Sequence, residues 1–200
     1  MYKKLSCKLT DTFTKWGIIN SDQADIYRYG FELLISSLAY GLIFILISLL
    51  CRCLIASLFF FSGFYIIRKF CGGFHANSYF KCHLLFAINH LLVILALKLI
   101  PQNVYYFVTI GIFLFASFVI LFFAPVDHKN KRFVKNEYLH FRKCSVIYAI
   151  ILLVFFIITL TKILPAHKIV LGFALGTLSA SISMLSAKII NFKERRVHNQ

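Results

Sequence analysis

The sequence is poor in negative charge and in proline. Its 200 residues contain 7 Asp and Glu against 22 Lys and Arg, and only 3 prolines. Charged residues make up 14% of the chain and hydrophobic residues 60%, whereas a soluble domain has about 25% and about 45–50%. This composition is too apolar for an ordinary soluble domain and indicates a membrane protein.

The sequence also lacks the motifs of several common sites. It contains no CxxC pair, no HExxH motif and no GxSxG nucleophile elbow. Cys82, His83 and His90 are candidate metal ligands, but no carboxylate lies near them in the sequence, so we expect neither a metal nor another cofactor. No nucleic-acid motif accompanies the basic residues, and we expect those residues to set topology and to contact lipid headgroups.

Six apolar runs approach or reach the length of about 17–25 residues that a membrane-spanning helix needs. All three prolines lie at the boundaries of these runs, where a missing N–H does least harm. The predicted spans are Phe31–Leu50, Cys53–Ile67, Leu84–Ile100, Val104–Ala124, Cys144–Leu164 and Ile169–Ile190. The predicted fold is therefore all-α, with one polytopic membrane domain over 1–200: a bundle at 31–190 and a basic tail at 191–200.

Residues 1–19 have the pattern of an amphipathic helix. Leu5, Leu9, Phe13 and Trp16 fall on one helical face, and four lysines lie off that stripe. A basic helix with such a face prefers the membrane interface. The alternative is a helix that packs on the rest of the bundle.

Basic residues alternate between the two sides of the predicted bundle. Of the 22 Lys and Arg, 18 fall on the side that carries both chain ends and the segment between the second and third spans. By the positive-inside rule, that side is cytoplasmic. We therefore expect a multi-pass protein of the cell membrane, with both ends of this chain in the cytoplasm.

Polar and small residues inside the spans suggest how the helices pack. Asn89 and His90 lie in mid-span, where polar groups are costly, so we expect them to face the bundle interior. In the sixth span, small residues recur in steps of four at Gly172, Gly176 and Ala180, which lets helix backbones approach closely. This stripe packs either inside the bundle or against a second copy of the chain.

A polar break between the second and third spans carries the candidate chemistry. It holds Gly72, Gly73, His75 and Cys82. A thiol reacts as its thiolate, and a nearby imidazole can generate that thiolate and later act as a general acid. In a straight helix the two residues would lie about 10 Å apart, so the backbone must bend to bring them together.

This break resembles a motif of the accessory gene regulator protein B (AgrB) family. The residues that carry the resemblance are Arg68-x-x-x-Gly72-Gly73-x-His75-x-x-x-x-x-x-Cys82 after two apolar spans. The segment 124–132, which begins Ala-Pro-Val-Asp and continues with basic residues, is similar to that family's loop between the fourth and fifth helices. Chain length, basic charge and the six-helix layout agree with the family as well.

The resemblance implies a membrane-embedded cysteine endopeptidase that acts in quorum sensing. Such enzymes cut the C-terminal part from a short propeptide through a cysteine thioester, and the upstream piece cyclises to a thiolactone or lactone. Cys82 would be the nucleophile and His75 the base. The supporting or oxyanion candidates are Arg68, Gly72, Gly73 and Asn77. The substrate-binding candidates are Asp127, Lys129, Lys131, Arg132 and Lys135.

The implied partners are a propeptide with an acidic C-terminal segment, membrane lipids and, in some arrangements, a second copy of the chain. No nucleic acid is expected. The competing hypothesis is a non-enzymatic membrane protein, either a small transporter or a partner-binding subunit. It would place polar residues along several helices toward a site at the membrane midplane.

Overall fold

The computed structural model describes residues 2–73, 79–126, 134–161 and 168–198. Within these ranges the backbone is almost entirely helical. The helices are α1 (Tyr2–Lys15), α2 (Ala24–Leu50), α3 (Leu54–Cys71), α4 (Tyr79–Leu99), α5 (Tyr105–Phe123), α6 (Lys135–Leu160) and α7 (Lys168–His198). Six of the described helices, α2 to α7, are long and apolar enough to cross a membrane. The predicted all-α, multi-pass membrane fold is therefore confirmed.

Several helices extend beyond the predicted apolar spans. Helix α4 begins at Tyr79 rather than Leu84, so Cys82 and His83 belong to a helix and not to a loop. Helix α6 begins at Lys135, and α7 continues through the basic residues to His198. Hydropathy marks only the lipid-buried part of a helix, whereas Lys, Arg and Glu are good helix formers that prolong it into the polar region.

The contact between α3 and α7 forms the centre of the bundle. A Cβ on Gly172 would collide with the carbonyl oxygen of Ala56, and a Cβ on Gly176 with that of Phe60. On the other helix, a Cβ on Gly63 would lie 2.6 Å from the carbonyl oxygen of Phe173. The small-residue stripe of α7 therefore packs inside the molecule, against α3, and this face is not open to a second copy.

Helices α5 and α6 complete the core around this pair. Helix α5 packs against both α6 and α7, and α6 also contacts α3. Fully buried side chains from these helices meet in one apolar cluster: Phe60, Ile67, Phe113, Ile120, Leu152, Leu171 and Met184.

Helices α2 and α4 lie at the edge of the bundle. In α7, 44% of the most apolar 18-residue window is buried, compared with 22% in α4 and 11% in α2. The exposed faces of α2 and α4 are rich in Leu and Ile, which suits contact with lipid. The helix that carries Cys82 is therefore packed less extensively than those of the core.

Helix α1 folds back onto α2. Ser6 and Thr10 of α1 are fully buried, and Phe13 stacks on Phe31 of α2 with ring centroids 5.6 Å apart. Trp16, on the same apolar stripe as Phe13, is 68% exposed. Helix α1 thus packs on the bundle and keeps part of its apolar face uncovered, while its place at the membrane interface stays a prediction.

The α3–α7 contact predicts a position-specific response to one added methyl group. We expect Gly176→Ala to lower the free energy of unfolding by about 1–3 kcal/mol, because the new Cβ would meet the Phe60 backbone. Thermal unfolding in detergent checks this. The matched control is Gly111→Ala, in mid-α5, where a Cβ would meet nothing within 4 Å. Equal stability of the two variants would contradict the packing described here.

Candidate functional site

The chain leaves α3 through two glycines in a backbone conformation that side chains disfavour. Gly72 has φ +79° and Gly73 has φ +141°. A Cβ on Gly72 would collide with the carbonyl oxygen of Val126, and these two residues form an isolated β-bridge. The N–H of Val126 donates to the carbonyl oxygen of Cys71 over 3.0 Å. The turn after α3 is therefore held against the segment that follows α5.

Arg68 occupies the space beside Gly73. Its Nη1 donates to the Ser183 hydroxyl on α7 over 3.3 Å, and a Cβ on Gly73 would collide with the same guanidinium group. The half-buried Arg68 also lies within electrostatic range of Cys82 on α4. One cation in the last turn of α3 thus bonds α7 and lies near the start of α4.

Cys82 lies near the N-terminal end of α4 and is exposed. The backbone N–H groups at the start of a helix have no partners within that helix and favour negative charge. Arg68 lies within electrostatic range of this thiol. The thiol of Cys82 is therefore exposed, near a helix N-terminus and near a cation.

Two side chains from the first half of α6 donate hydrogen bonds to carbonyl groups at the ends of α3 and α5. Arg142 donates through Nη1 to the carbonyl oxygen of Ala124 and through Nη2 to that of Leu121, the latter over 2.7 Å. The hydroxyl of Ser145 donates to the carbonyl oxygen of Phe70 over 3.2 Å. These bonds satisfy carbonyl groups that have no partner at a helix end, and they keep both helix ends beside the Gly72–Val126 bridge.

Two polar residues, the buried His90 and the half-buried Asn89, hold α4 against its neighbours. Nε2 of His90 lies 3.2 Å from the Ser48 hydroxyl on α2 and 3.1 Å from the Ser57 hydroxyl on α3. Asn89 accepts a hydrogen bond from the Ser179 hydroxyl on α7 over 3.1 Å. Both residues face the bundle interior, as the sequence predicts. They bond different partners, and together they fix α4 relative to three other helices.

Several predicted site residues lie outside the described part of the chain. These are His75, Asn77, Asp127, Lys129, Lys131 and Arg132, and the side chain of Lys135 is also outside it. The pairing of His75 with Cys82 therefore stays a prediction. Of the predicted site residues that are described, Arg68 and Gly73 lie in contact, Gly72 adjoins them, and Cys82 is within electrostatic range of Arg68.

A second thiol lies near an imidazole on α6. Sγ of Cys144 is 3.7 Å from Nε2 of His140, one helical turn earlier. All six cysteines are free, and Cys71 is fully buried. Cys144 is therefore the alternative nucleophile against which Cys82 has to be tested.

The two histidines that the sequence offers as metal ligands, His83 and His90, contact different partners. His83 stacks on Tyr40 with ring centroids 4.0 Å apart, whereas His90 bonds the serines of α2 and α3. Across the described ranges, no group of three or more His, Cys, Asp or Glu side chains is arranged to hold a metal ion.

Sequence reasoning missed three residues that shape this end of the bundle. Arg142 was one of the 22 basic residues used for topology, and no sequence pattern assigned a role to Ser145 or Ser183. Their roles depend on which carbonyl or guanidinium group the tertiary fold brings near, and the sequence carries no signal for that.

The fold and the site together define a polytopic helical membrane protein with an accessible thiol and a glycine–arginine cluster at one end of its bundle. The chain belongs to the accessory gene regulator B (AgrB) family, whose model matches residues 6–185.

Two similar proteins come from Clostridium perfringens. An AgrB-like protein of strain SM101 is 30% identical over 142 residues, which cover 68% of this chain and 66% of that protein. AgrB-like protein 2 of strain 13 is 30% identical over 123 residues, 59% of this chain and 57% of that protein. The matched region is thus less than two thirds of either relative. No solved structure matches the chain.

The buried His90 bonds predict an energetic coupling between helices. In a double-mutant cycle, we expect His90→Leu and Ser57→Ala to be coupled by about 0.6 kcal/mol, the usual size of a hydrogen bond between membrane helices. Unfolding in mixed SDS micelles measures this. Ser62→Ala is the control on α3, because the Ser62 hydroxyl bonds the Phe59 carbonyl of its own helix. Additive effects in both cycles would contradict the role given to His90.

Proposed function

We propose that this chain is a membrane-embedded cysteine endopeptidase that processes a short signalling propeptide in quorum sensing. Membership of the AgrB family carries the proposal. The packing of Arg68, Gly72 and Gly73 at the end of α3, within electrostatic range of Cys82, supports it. In this proposal Cys82 is the nucleophile and His75 the general base and acid.

The first step forms a thioester. His75 takes the proton of the Cys82 thiol, and Sγ attacks the carbonyl carbon of the scissile peptide bond. The C–N bond then breaks, and the imidazolium of His75 gives its proton to the leaving amine. The C-terminal part of the propeptide departs, and the upstream part remains attached to Cys82.

The negative charge on the carbonyl oxygen during this step needs hydrogen-bond donors. The candidates are the backbone N–H groups of Gly72 and Gly73 and the side chains of Arg68 and Asn77. The contact of Arg68 with Ser183 and Gly73 limits its movement, which suits a donor that must be in place before the charge develops.

The second step transfers the acyl group within the peptide. A thiol or hydroxyl of the upstream piece attacks the thioester carbonyl, the bond to Cys82 breaks, and the ring closes as a thiolactone or lactone. The Cys82 thiolate regains a proton from the attacking group. Water competes for the thioester, so a pocket at the edge of a lipid-facing bundle favours cyclisation over hydrolysis.

Substrate binding and orientation complete the proposal. The propeptide would lie on the cytoplasmic membrane surface, on the same side as Cys82, together with anionic lipids and α1. Asp127, Lys129, Lys131, Arg132 and Lys135 would contact its acidic segment. Residues 1–19, 31–190 and 191–200 would act as one membrane peptidase domain.

Replacing either Cys82 or His75 tests the proposed mechanism. We expect Cys82→Ala and His75→Ala each to abolish cleavage, because nucleophile and base act as a unit. The measurement is cleavage of a tagged, co-expressed propeptide with an amphipathic start, an internal Cys or Ser and an acidic end. Cys71→Ala and Cys144→Ala are the matched controls and should retain cleavage. Full activity of Cys82→Ala, or its loss in Cys144→Ala, would refute the assignment.

The glycine beside Arg68 gives a second test. Gly73→Ala should lower cleavage about 100-fold, since its methyl group would displace the guanidinium of Arg68 from the site. Gly17→Ala is the control: Gly17 also has a positive φ, +71°, but a Cβ there would meet nothing within 4 Å. Comparable cleavage by the two variants would show that the position of Arg68 does not matter.

A further inference from the structure

A cavity of about 400 Å³ opens at the same end of the bundle as the Gly72–Val126 bridge. The end of α5, the start of α6 and the last turns of α7 form its walls. The residues that line it are Phe122, Phe123, Ala124, Pro125, Val126, Tyr138, Arg142, Lys188, Asn191 and Phe192. This volume is at the lower end of the range for ligand sites and accommodates a few side chains of a bound peptide.

Two cations face this cavity, and both are held by the fold. Arg142 is anchored by its bonds to the carbonyl oxygens of Ala124 and Leu121, which use two of its five N–H groups. Nζ of Lys188 lies 4.2 Å from the ring centroid of Phe123. Among the described residues, these contacts leave part of the donor capacity of each cation for an anion.

No acidic side chain is among the described residues that line the cavity. Its neutral walls come mainly from aromatic rings, including those of Phe122, Tyr138 and Phe192. Two cations between aromatic surfaces complement a ligand that carries carboxylates next to apolar groups. An acidic peptide segment with apolar neighbours has this chemistry.

The cavity adjoins the candidate catalytic cluster through the backbone. Val126 lines the cavity and pairs with Gly72, and the next residue, Gly73, contacts Arg68. The Gly72–Val126 bridge thus connects a wall of the cavity to the turn that contacts Arg68. A lipid headgroup would satisfy the two cations but would not use this connection.

We infer that the cavity between α5, α6 and α7 binds the carboxylate-bearing segment of the peptide substrate, with Arg142 and Lys188 as its anion-binding residues. The inference rests on the proposed peptidase function. It adds a site outside the basic loop 127–135 and relates that site to the cluster around Arg68. It makes Lys188 a substrate-binding residue and not only a topology charge.

Binding without cleavage tests the inference. The full chain with Cys82→Ala is placed in nanodiscs of phosphatidylcholine, and two fluorescein-labelled decapeptides are titrated by anisotropy. One contains several glutamates and a phenylalanine, and the other has glutamines in place of the glutamates. We expect tighter binding of the glutamate peptide, weakened about three- to fivefold by Lys188→Gln, the scale of an accessible ion pair.

Lys69→Gln is the matched control. Lys69 is also exposed and lies over a phenylalanine ring, at 5.4 Å from the centroid of Phe70, but it does not line the cavity. Lys69→Gln removes the same charge as Lys188→Gln, but outside the cavity. Its affinity for the glutamate peptide should therefore stay within error of that of the parent. Lys188→Glu should weaken the glutamate peptide further and should restore affinity for a decapeptide with lysines in those positions.

Equal binding of the glutamate and glutamine peptides, or equal losses in the Lys188 and Lys69 variants, would overturn the inference. A repeat in nanodiscs containing phosphatidylglycerol covers the lipid alternative. If Lys188→Gln reduces retention of that lipid in native mass spectrometry and leaves peptide affinity unchanged, the cavity is a headgroup site. Since the assay uses Cys82→Ala, its failure leaves the acyl chemistry standing, and failure of that chemistry leaves peptide binding standing.

Discussion

The close approach of α3 and α7 is the constraint on which the rest of the molecule depends. Membrane helices gain little from the hydrophobic effect against one another, so close backbone packing has to hold them together. Gly63, Gly172 and Gly176 leave no room for a side chain between the two helices. At this separation, Arg68 at the end of α3 donates a hydrogen bond to Ser183 on α7.

The irregular segments at the end of the bundle follow from that contact. Backbone that leaves a helix near a membrane must find partners within the protein. The carbonyl groups at the end of α3 bond Val126 and Ser145, while those at the end of α5 bond Arg142. The glycine turn, the Arg68 cluster and the cationic cavity are thus connected by these hydrogen bonds and contacts. Cys82 lies beside them, on the less extensively packed α4.

The sequence predicted the helical class, six spans and the inward position of His90, because long apolar runs and buried polar groups leave strong local patterns. It did not predict that Cys82 is helical, since the polar start of α4 has no hydropathy signal. It also did not predict which helix packs against the Gly172 stripe. Gly63, on the facing helix, is not part of a series of small residues spaced four apart. The bonds made by Arg142 arise from tertiary packing, which no local pattern encodes.

The identity of the acylated residue is the most direct test of the account. The full chain in nanodiscs would be mixed with its propeptide, quenched rapidly in acid and mapped by mass spectrometry. The account predicts that the upstream part of the propeptide is attached to Cys82 and is released by neutral hydroxylamine, as a thioester is. Cleavage with the adduct on Cys144, or with no covalent intermediate in a time course that resolves single turnovers, would contradict it.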